Sequence, residues 1–230
     1  MSELPKYLPK YLGEFIGSTA LLATVVGSGM MGVQLANGNM AIALLANAAA
    51  TAGMLYVLIS ALGPISGAHF NPLVSIIMRW RGELTSLECI GYFIAQLLGA
   101  WFGVVLAHAM FDLPLWQPGI QIRTGAALWL SEAVATAGLI LTILVGIKHR
   151  PQSAPVLVAS YVFAAYWFTA STAFANPAVT IARALTQSFA GIYPGDVLGF
   201  VLAQCVGALL AVIVAAGLFS NSLGHKLDNS

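Results

Sequence analysis

The chain has 230 residues, of which 59% are hydrophobic and only 7% are Asp, Glu, Lys or Arg. Soluble domains carry about 25% charged residues, so this composition cannot cover a water-facing surface. It also excludes a disordered chain and, with two cysteines, a disulfide-stapled secreted domain. The net charge of +1 excludes a basic protein that binds nucleic acid. The composition therefore predicts a protein whose partner is the lipid bilayer.

Six stretches of the sequence are long and apolar enough to cross a hydrocarbon core about 30 Å thick. They cover residues 11–34, 40–62, 84–109, 125–147, 154–172 and 195–219. Backbone groups cannot remain unpaired in lipid, and the short alternating segments of a membrane β-barrel are not visible. We therefore predict an all-α membrane protein with six transmembrane helices.

The basic residues predict the orientation of these helices. Six spans place both termini on one side of the membrane, and basic residues collect on the cytoplasmic side. Seven basic residues lie on the side of the termini, namely Lys6, Lys10, Arg79, Arg81, Lys148, Arg150 and Lys226, whereas only Arg123 and Arg183 lie on the other. We therefore expect a multi-pass protein of the plasma membrane with both termini in the cytoplasm.

The two halves of the chain resemble each other. Three correspondences occur in the same order in both halves: Glu14 with Glu132, Asn71-Pro72 with Asn176-Pro177, and Ala95–Ala100 with Ala203–Ala208. Because each half contains three spans, the second half must cross the membrane in the opposite sense, as in an inverted repeat. We predict one domain over residues 1–230, with a first repeat over 11–110 and an inverted second repeat over 125–220.

Each half also contains a short apolar segment that begins with Asn-Pro. The segments are Asn71-Pro72-Leu73 with the five residues after it, and Asn176-Pro177-Ala178 with the four residues after it. Asn is a favoured N-cap and Pro suits the first turn of a helix. About ten helical residues span about 15 Å, half of a bilayer. Two re-entrant half-helices are therefore predicted to enter from opposite faces and meet at the midplane.

This arrangement suits the passage of a neutral molecule. A solute that loses its water partners in a narrow apolar tube needs hydrogen bonds in exchange. The amides of Asn71 and Asn176 can donate to it, and backbone carbonyls around residues 63–69 and 169–175 can accept from it. The positive ends of two facing half-helices oppose any cation at the centre.

The pattern resembles the aquaporin and aquaglyceroporin family over nearly the whole chain, most specifically at Ser66–Pro72 and Asn176–Ala178. The resemblance implies a homotetramer in which each protomer has its own pore for water or small neutral solutes, without a cofactor or metal. It also implies that Glu14 and Glu132 support the re-entrant loops. His69 resembles the family's histidine on the cytoplasmic approach to the pore, and it is equally well explained as a buried, hydrogen-bonded histidine.

The sequence departs from the family's pattern at two places. Leu73 replaces the usual alanine, and it either reshapes the pore centre or packs behind it. Val179 stands where most members have the arginine of the selectivity filter. The family's spacing places the other filter residues at Thr51, Ala164 and Ala173, with a slip of one residue possible in the helices. The resulting filter is small, nearly apolar and uncharged, and we expect it to be wide.

Arg183 lies one helical turn after Val179. It either places a charge at the external mouth or anchors a loop. The segment 176–186 resembles the bacterial branch of aquaglyceroporin-like proteins associated with arsenic resistance. That resemblance implies transport of neutral trivalent metalloids such as arsenite, and of methylarsenicals, besides glycerol-like solutes.

A secondary transporter and a membrane enzyme are the alternatives to a channel. A secondary transporter of a small solute needs titratable groups at the midplane, and the candidate acids are Glu14, Glu132 and Glu88. A membrane enzyme needs reacting groups, and no Cys/His metal spacing or Ser/His/Asp set stands out. A passive channel is therefore the prediction, with the transporter as its alternative.

Overall fold

The computed structural model describes residues 4–220, and this part of the chain contains helices and no strand. Eight α-helices follow one another: α1 (Leu4–Leu35), α2 (Met40–Ser66), α3 (Pro72–Trp80), α4 (Ser86–Met110), α5 (Ala126–His149), α6 (Ala154–Phe168), α7 (Pro177–Arg183) and α8 (Val197–Ser220). Lys226, which was counted in the charge distribution, lies outside the described residues.

Six of these helices correspond to the predicted spans. Five of them, α1, α2, α4, α5 and α8, are long and apolar enough to cross a membrane. The sixth, α6, has 15 residues and follows a single 3₁₀ turn at Pro151–Ser153. The predicted span over residues 154–172 extends too far, because the backbone becomes extended at Thr169. The Thr169 hydroxyl donates to the Ala165 carbonyl at 2.7 Å at this end of the helix.

The two Asn-Pro segments form half-helices as predicted. The side chain of Asn71 accepts a hydrogen bond from the Leu73 amide, and that of Asn176 accepts from the amides of Ala178 and Val179. Helices α3 and α7 contain 9 and 7 residues, which correspond to about 13 and 10 Å. The two helices contact each other. Each therefore crosses only part of the membrane, and the chain returns to the face from which it entered.

The long helices pack in two equivalent pairs, α1 with α4 and α5 with α8. The closest approach in each pair occurs at a glycine. A Cβ atom on Gly99 would lie 2.4 Å from the Phe15 carbonyl oxygen, and one on Gly207 would lie 2.2 Å from that of Ala133. Small residues permit such contact between membrane helices. The glycines of the duplicated Ala95–Ala100 and Ala203–Ala208 segments therefore set both helix crossings.

The outer surface of the helices is apolar, as lipid requires. Large hydrophobic side chains that are about half exposed cover these faces, among them Ile16, Leu98, Leu202 and Leu209. The buried polar side chains lie instead between the helices and around the half-helices. The result is the predicted architecture, with six spans and two re-entrant half-helices in an inverted repeat of three plus three.

The helix crossing at Gly207 provides a test of this packing. We expect Gly207→Ala to lower the free energy of unfolding by about 1–3 kcal/mol, because the added methyl group meets the α5 backbone. The matched control is Gly217→Ala in the same helix, where an added Cβ has nothing within 4 Å. Thermal unfolding of both variants in detergent measures the difference. Equal melting temperatures would contradict the assigned crossing.

Candidate functional site

A cavity of about 430 Å³ runs between the half-helices and is bordered by α2, α5 and α6. At one end, here called the α3 end, it is lined by residues that include Gly67 and His69. At the other end, the α7 end, its lining includes Val179 and Arg183. Asn71 and Asn176 both line the cavity between these ends. The cavity, here called the passage, is thus lined by the asparagines of both Asn-Pro motifs.

The two asparagines join the half-helices to each other. The Asn71 side-chain nitrogen donates to the Ala175 carbonyl at 2.9 Å, and the Asn176 side-chain nitrogen donates to the Phe70 carbonyl at 2.7 Å. Each amide nitrogen has two N–H donors. One donor of each asparagine therefore holds the opposite re-entrant segment, and the second is available to a solute in the cavity.

Glu14 is fully buried and supports the segment before α3. Its carboxylate accepts hydrogen bonds from the amides of His69 (2.9 Å) and Phe70 (2.7 Å). It also accepts from the Ser66 hydroxyl and the Gln96 side chain. Charge-assisted bonds of this kind are stronger than neutral ones. All four donors are groups of the protein itself, so this carboxylate has a structural role.

Glu132 has the equivalent position in the second half. It accepts from the amides of Phe174 and Ala175, both at 2.9 Å, and from the Gln204 side chain at 2.7 Å. Gln204 also donates to the Thr180 hydroxyl, as Gln96 does to that of Ser75. The two glutamines therefore connect the glutamates to the half-helices.

The re-entrant backbone that the glutamates hold is unusual. Ala68 and Phe70 have φ values of 53° and 48°, and Ala173 and Ala175 have values of 48° and 49°. Non-glycine residues occupy this left-handed region at a cost of about 1–3 kcal/mol each. The sequence contains no signal for this conformation, because alanine and phenylalanine are not residues that favour it.

His69 combines both roles that the sequence left open. It lines the α3 end of the cavity, and its Nδ1 lies 3.1 Å from the Ser75 hydroxyl. Its ring centroid lies 5.2 Å from that of Tyr92. The histidine is therefore a hydrogen-bonded side chain that also borders the passage.

Leu73 is buried, and it does not line the cavity. It belongs to a hydrophobic cluster with Ile77, Tyr92 and Leu144. Of the two interpretations, the structure supports packing behind the passage. Pro72, Pro177 and Ala178 are likewise buried and lie outside the cavity lining, so within the two Asn-Pro motifs only the asparagines face the passage.

The residues predicted for the filter are mostly found at the α7 end. Thr51, Ala173 and Val179 line the cavity there. Ala164 does not, because its side chain is exposed on the outer face of α6, and this position is corrected to the buried Ala165. One residue rotates the direction of a side chain by about 100° on a helix. Tyr166, which sequence reasoning missed, also lines the cavity and donates to Thr51 at 3.4 Å.

Arg183 borders the α7 end and is only 2% exposed. Its Nε donates to the Ala190 carbonyl in the loop between α7 and α8. Its guanidinium carbon lies 3.3 Å from the centre of the Phe174 ring. The residue therefore places a charge beside the passage and also holds a loop, so the two alternatives are not exclusive.

Arg123 was considered only as a loop charge in the sequence. In the structure its guanidinium donates to the carbonyls of Gly191 (2.8 Å), Phe189 (3.2 Å) and Ser171 (3.4 Å). Burial lowers the pKa of Arg123, and the nearby Glu132 carboxylate acts in the opposite direction. No local sequence pattern indicates that this loop residue reaches three carbonyls.

Glu88, the third acid considered for a transporter, lies in the first turn of α4. It accepts from the Lys10 ammonium group at 2.7 Å and from the Thr85 amide and hydroxyl. It is therefore a helix cap with an ion-pair partner. With Glu14 and Glu132 engaged by backbone amides, none of the three acids forms a cluster at the midplane.

Comparison with known proteins places the chain in a family. The sequence profile of the major intrinsic proteins matches residues 1–164. The chain is also 52% identical over 197 residues to the aquaglyceroporin AqpS of Rhizobium meliloti (strain 1021). The aligned region covers 86% of this chain and 84% of that protein. The chain belongs to the major intrinsic protein family.

Other members of the major intrinsic protein family are more distant. The glycerol uptake facilitator protein of Bacillus subtilis (strain 168) is 30% identical over 152 residues, covering 59% of this chain and 55% of that protein. The crystal structure of the aquaglyceroporin from Plasmodium falciparum matches with a TM-score of 0.72 at 18% identity, and covers 97% of this chain and 100% of the other. The last comparison shows a shared fold. This major intrinsic protein is therefore a multi-pass membrane channel of the aquaglyceroporin type.

The glutamate that supports α7 can be tested directly. We expect Glu132→Gln to lower the free energy of unfolding by about 2 kcal/mol, because an amide replaces a carboxylate that accepts three hydrogen bonds. Glu83→Gln is the matched control, since Glu83 is exposed and pairs with Arg81 at the surface. Thermal unfolding in detergent compares the two. A melting temperature for Glu132→Gln equal to that of Glu83→Gln would refute this role.

Proposed function

We propose that the protein is a passive channel for small neutral solutes of glycerol size as well as water, with a wide and weakly polar filter at its α7 end. The observation that supports this most is the lining of that end. Thr51, Ala165, Ala173 and Val179 border the cavity there, and none of these four side chains is charged. The names of the relatives, an aquaglyceroporin and a glycerol uptake facilitator, agree with permeation of glycerol.

Neutral solutes are favoured for an electrostatic reason. The N-termini of α3 and α7 both begin at asparagines that line the passage. The partial positive charge at a helix N-terminus opposes a cation, and the free N–H donors of the two asparagines favour an oxygen acceptor. A hydroxyl-bearing molecule can exchange its water partners for these donors and for backbone carbonyls, whereas a bare ion cannot.

The filter at the α7 end determines the size of the permeant. Val179 occupies the place of the family's usual arginine, so the aperture lacks that long side chain and its hydrogen-bond donors. Water therefore loses part of its advantage over larger and less polar solutes. We include neutral trivalent metalloids such as arsenite, and methylarsenicals, among the permeants, because segment 176–186 resembles the branch of the family associated with arsenic resistance.

Orientation and assembly complete the proposal. Because basic residues collect on the side of the termini, both termini lie in the cytoplasm and the α7 end opens outward. The half-exposed apolar side chains on the outer helix faces are suited to lipid and to neighbouring copies, and a homotetramer with four separate pores is the arrangement we propose.

Proteoliposomes provide the test of this function. Stopped-flow light scattering should show passive permeation of water, glycerol and arsenite without any ion gradient. Planar-bilayer recording in salt should show no unitary current. Uptake that requires a proton or sodium gradient would show that the protein is a transporter and not a channel. A conductance that Asn176→Ala abolishes would show that the pore conducts ions.

The role of Val179 is tested by restoring the arginine. We expect Val179→Arg to reduce permeation of glycerol and arsenite more than that of water, because the longer side chain narrows the aperture and donates hydrogen bonds to water. Val179→Met is the matched control for length without charge, and Thr51→Phe should act in the same direction through size alone. A glycerol-to-water permeability ratio that stays unchanged in folded, tetrameric Val179→Arg would contradict the proposed filter.

The same position also tests orientation. A thiol reagent that cannot cross the membrane should modify Val179→Cys only from the external face. Modification only from the cytoplasmic face would mean that α7 enters the membrane from the other side.

A further inference from the structure

The inverted repeat breaks its symmetry at one hydrogen bond beside the passage. In the first half, the carbonyl of Ser66 lies directly before the re-entrant segment and accepts a hydrogen bond from the Tyr92 hydroxyl at 2.6 Å. The residue equivalent to Ser66 is Ser171, because each lies five positions before its asparagine. The carbonyl of Ser171 accepts instead from Arg123 at 3.4 Å.

The reason for this difference is a missing hydroxyl group. Tyr92 lies four residues before Gln96, and the residue four before the equivalent Gln204 is Phe200. Phe200 is fully buried, and its ring centroid is 5.1 Å from that of Phe174. In the first half, the Tyr92 ring contacts His69 at a similar distance of 5.2 Å. The aromatic contact is thus present in both halves, but phenylalanine has no donor for the serine carbonyl.

Arg123 donates to the Ser171 carbonyl, which lacks a tyrosine donor, and it also donates to two further carbonyls. It belongs to the loop between α4 and α5, and its own backbone amide is held by the Asp196 carboxylate at 2.7 Å. The same guanidinium donates to Phe189 and Gly191 in the loop between α7 and α8. It therefore joins the segment before α7 to the loop after α7, and the two flank the α7 end of the cavity.

Both connected segments border the filter. Ser171 lies two residues before Ala173, which lines the cavity. Gly191 directly follows Ala190, whose carbonyl accepts from Arg183. The guanidinium carbons of Arg123 and Arg183 lie 5.1 and 3.3 Å from the centre of the Phe174 ring. Arg123 does not itself line the cavity, so any effect that it has on solutes acts through these neighbours.

We infer that Arg123 is a positioning residue that sets the width of the α7 end, by replacing in the second half the hydroxyl that Tyr92 supplies in the first. This inference rests on the proposed channel function for its consequence in permeation. A planar guanidinium can serve three carbonyls in fixed directions, whereas a lysine ammonium is a compact charge that does not reproduce that fork. Arg123 thus acts through the geometry of its guanidinium, and its charge alone does not supply this effect.

Permeation provides the first measurement. We expect Arg123→Gln to raise the glycerol-to-water permeability ratio about fivefold. This is the population change for the loss of one hydrogen bond, and we count only the bond to the Ser171 carbonyl, which holds the segment before α7. Arg123→Lys should resemble Arg123→Gln, because it keeps the charge and loses the fork. The matched control is Arg150→Gln, an exposed arginine on the other side of the membrane. A ratio unchanged in Arg123→Gln, or fully restored in Arg123→Lys, would overturn the inference.

Thiol accessibility provides a second measurement that does not depend on conduction. Ala173→Cys should react with a membrane-impermeant thiol reagent about fivefold faster when Arg123→Gln is also present, because the re-entrant segment is then held less firmly. The chain without the added cysteine provides the background from Cys89 and Cys205. If the unmodified protein passes no neutral solute, the proposed function fails, and this reaction rate still decides the role of Arg123. An unchanged rate refutes that role.

The symmetry argument allows a rescue experiment. Phe200→Tyr introduces a hydroxyl at the position equivalent to that of Tyr92. In the Arg123→Gln background, it should return both the permeability ratio and the Ala173→Cys reaction rate toward the values of the unmodified protein. A folded double variant that behaves like Arg123→Gln alone would show that the hydroxyl and the guanidinium are not equivalent.

Discussion

A backbone that leaves the helical conformation inside a membrane must find hydrogen-bond partners, and the passage depends on how this chain supplies them. Glu14 and Glu132 each accept hydrogen bonds from two backbone amides of a re-entrant segment. Without these bonds, four N–H groups of the re-entrant segments, those of His69, Phe70, Phe174 and Ala175, would be unpaired in an apolar surrounding, at a cost of several kcal/mol. Glu14 and Glu132, whose burial in the spans costs the most free energy, therefore supply the hydrogen bonds that hold the re-entrant segments beside the cavity.

The asparagines complete this arrangement, since their side chains link structure to passage. The side-chain oxygen of each asparagine caps its own half-helix, and one N–H donor holds the opposite segment. Two half-helices that meet end to end would otherwise repel through their dipoles. Each amide keeps a second N–H donor on a side chain that lines the cavity. The geometry that holds α3 and α7 together is thus the geometry that can bind a solute.

Sequence reasoning predicted the architecture well because its signals are strong and repeated. The length of the apolar stretches and the two Asn-Pro motifs each have one physical explanation in a bilayer. The glycines of the duplicated Ala95–Ala100 and Ala203–Ala208 segments lie at the helix crossings. The prediction was wrong where a shift of one residue along a helix changes the direction in which a side chain points. Ala164 faces outward and Ala165 faces the cavity, because the spacing that placed the filter residue is counted back from Asn176 across the non-helical residues that follow Phe168.

The role of Arg123 shows a different limit. Its three acceptors are backbone carbonyls from segments 48 to 68 positions away along the chain, and any residue type supplies a carbonyl. No composition or spacing can therefore reveal such a contact. The symmetry of the repeat can reveal where a partner is missing, since Phe200 stands at the position of Tyr92, but not which distant side chain takes its place.

The α7 end has arginines close to the passage although position 179 has none. Arg183 borders the cavity one turn beyond Val179, and Arg123 lies behind it. Both guanidiniums lie over the ring of Phe174, whose amide is bound by Glu132. The positive charge at this end thus lies beyond Val179, toward the loops. Such a charge can still oppose cations over several ångströms, while the aperture itself stays free of a long side chain. In the filter that we propose, charge selection and size selection, which a single filter arginine would combine, are therefore divided between different residues.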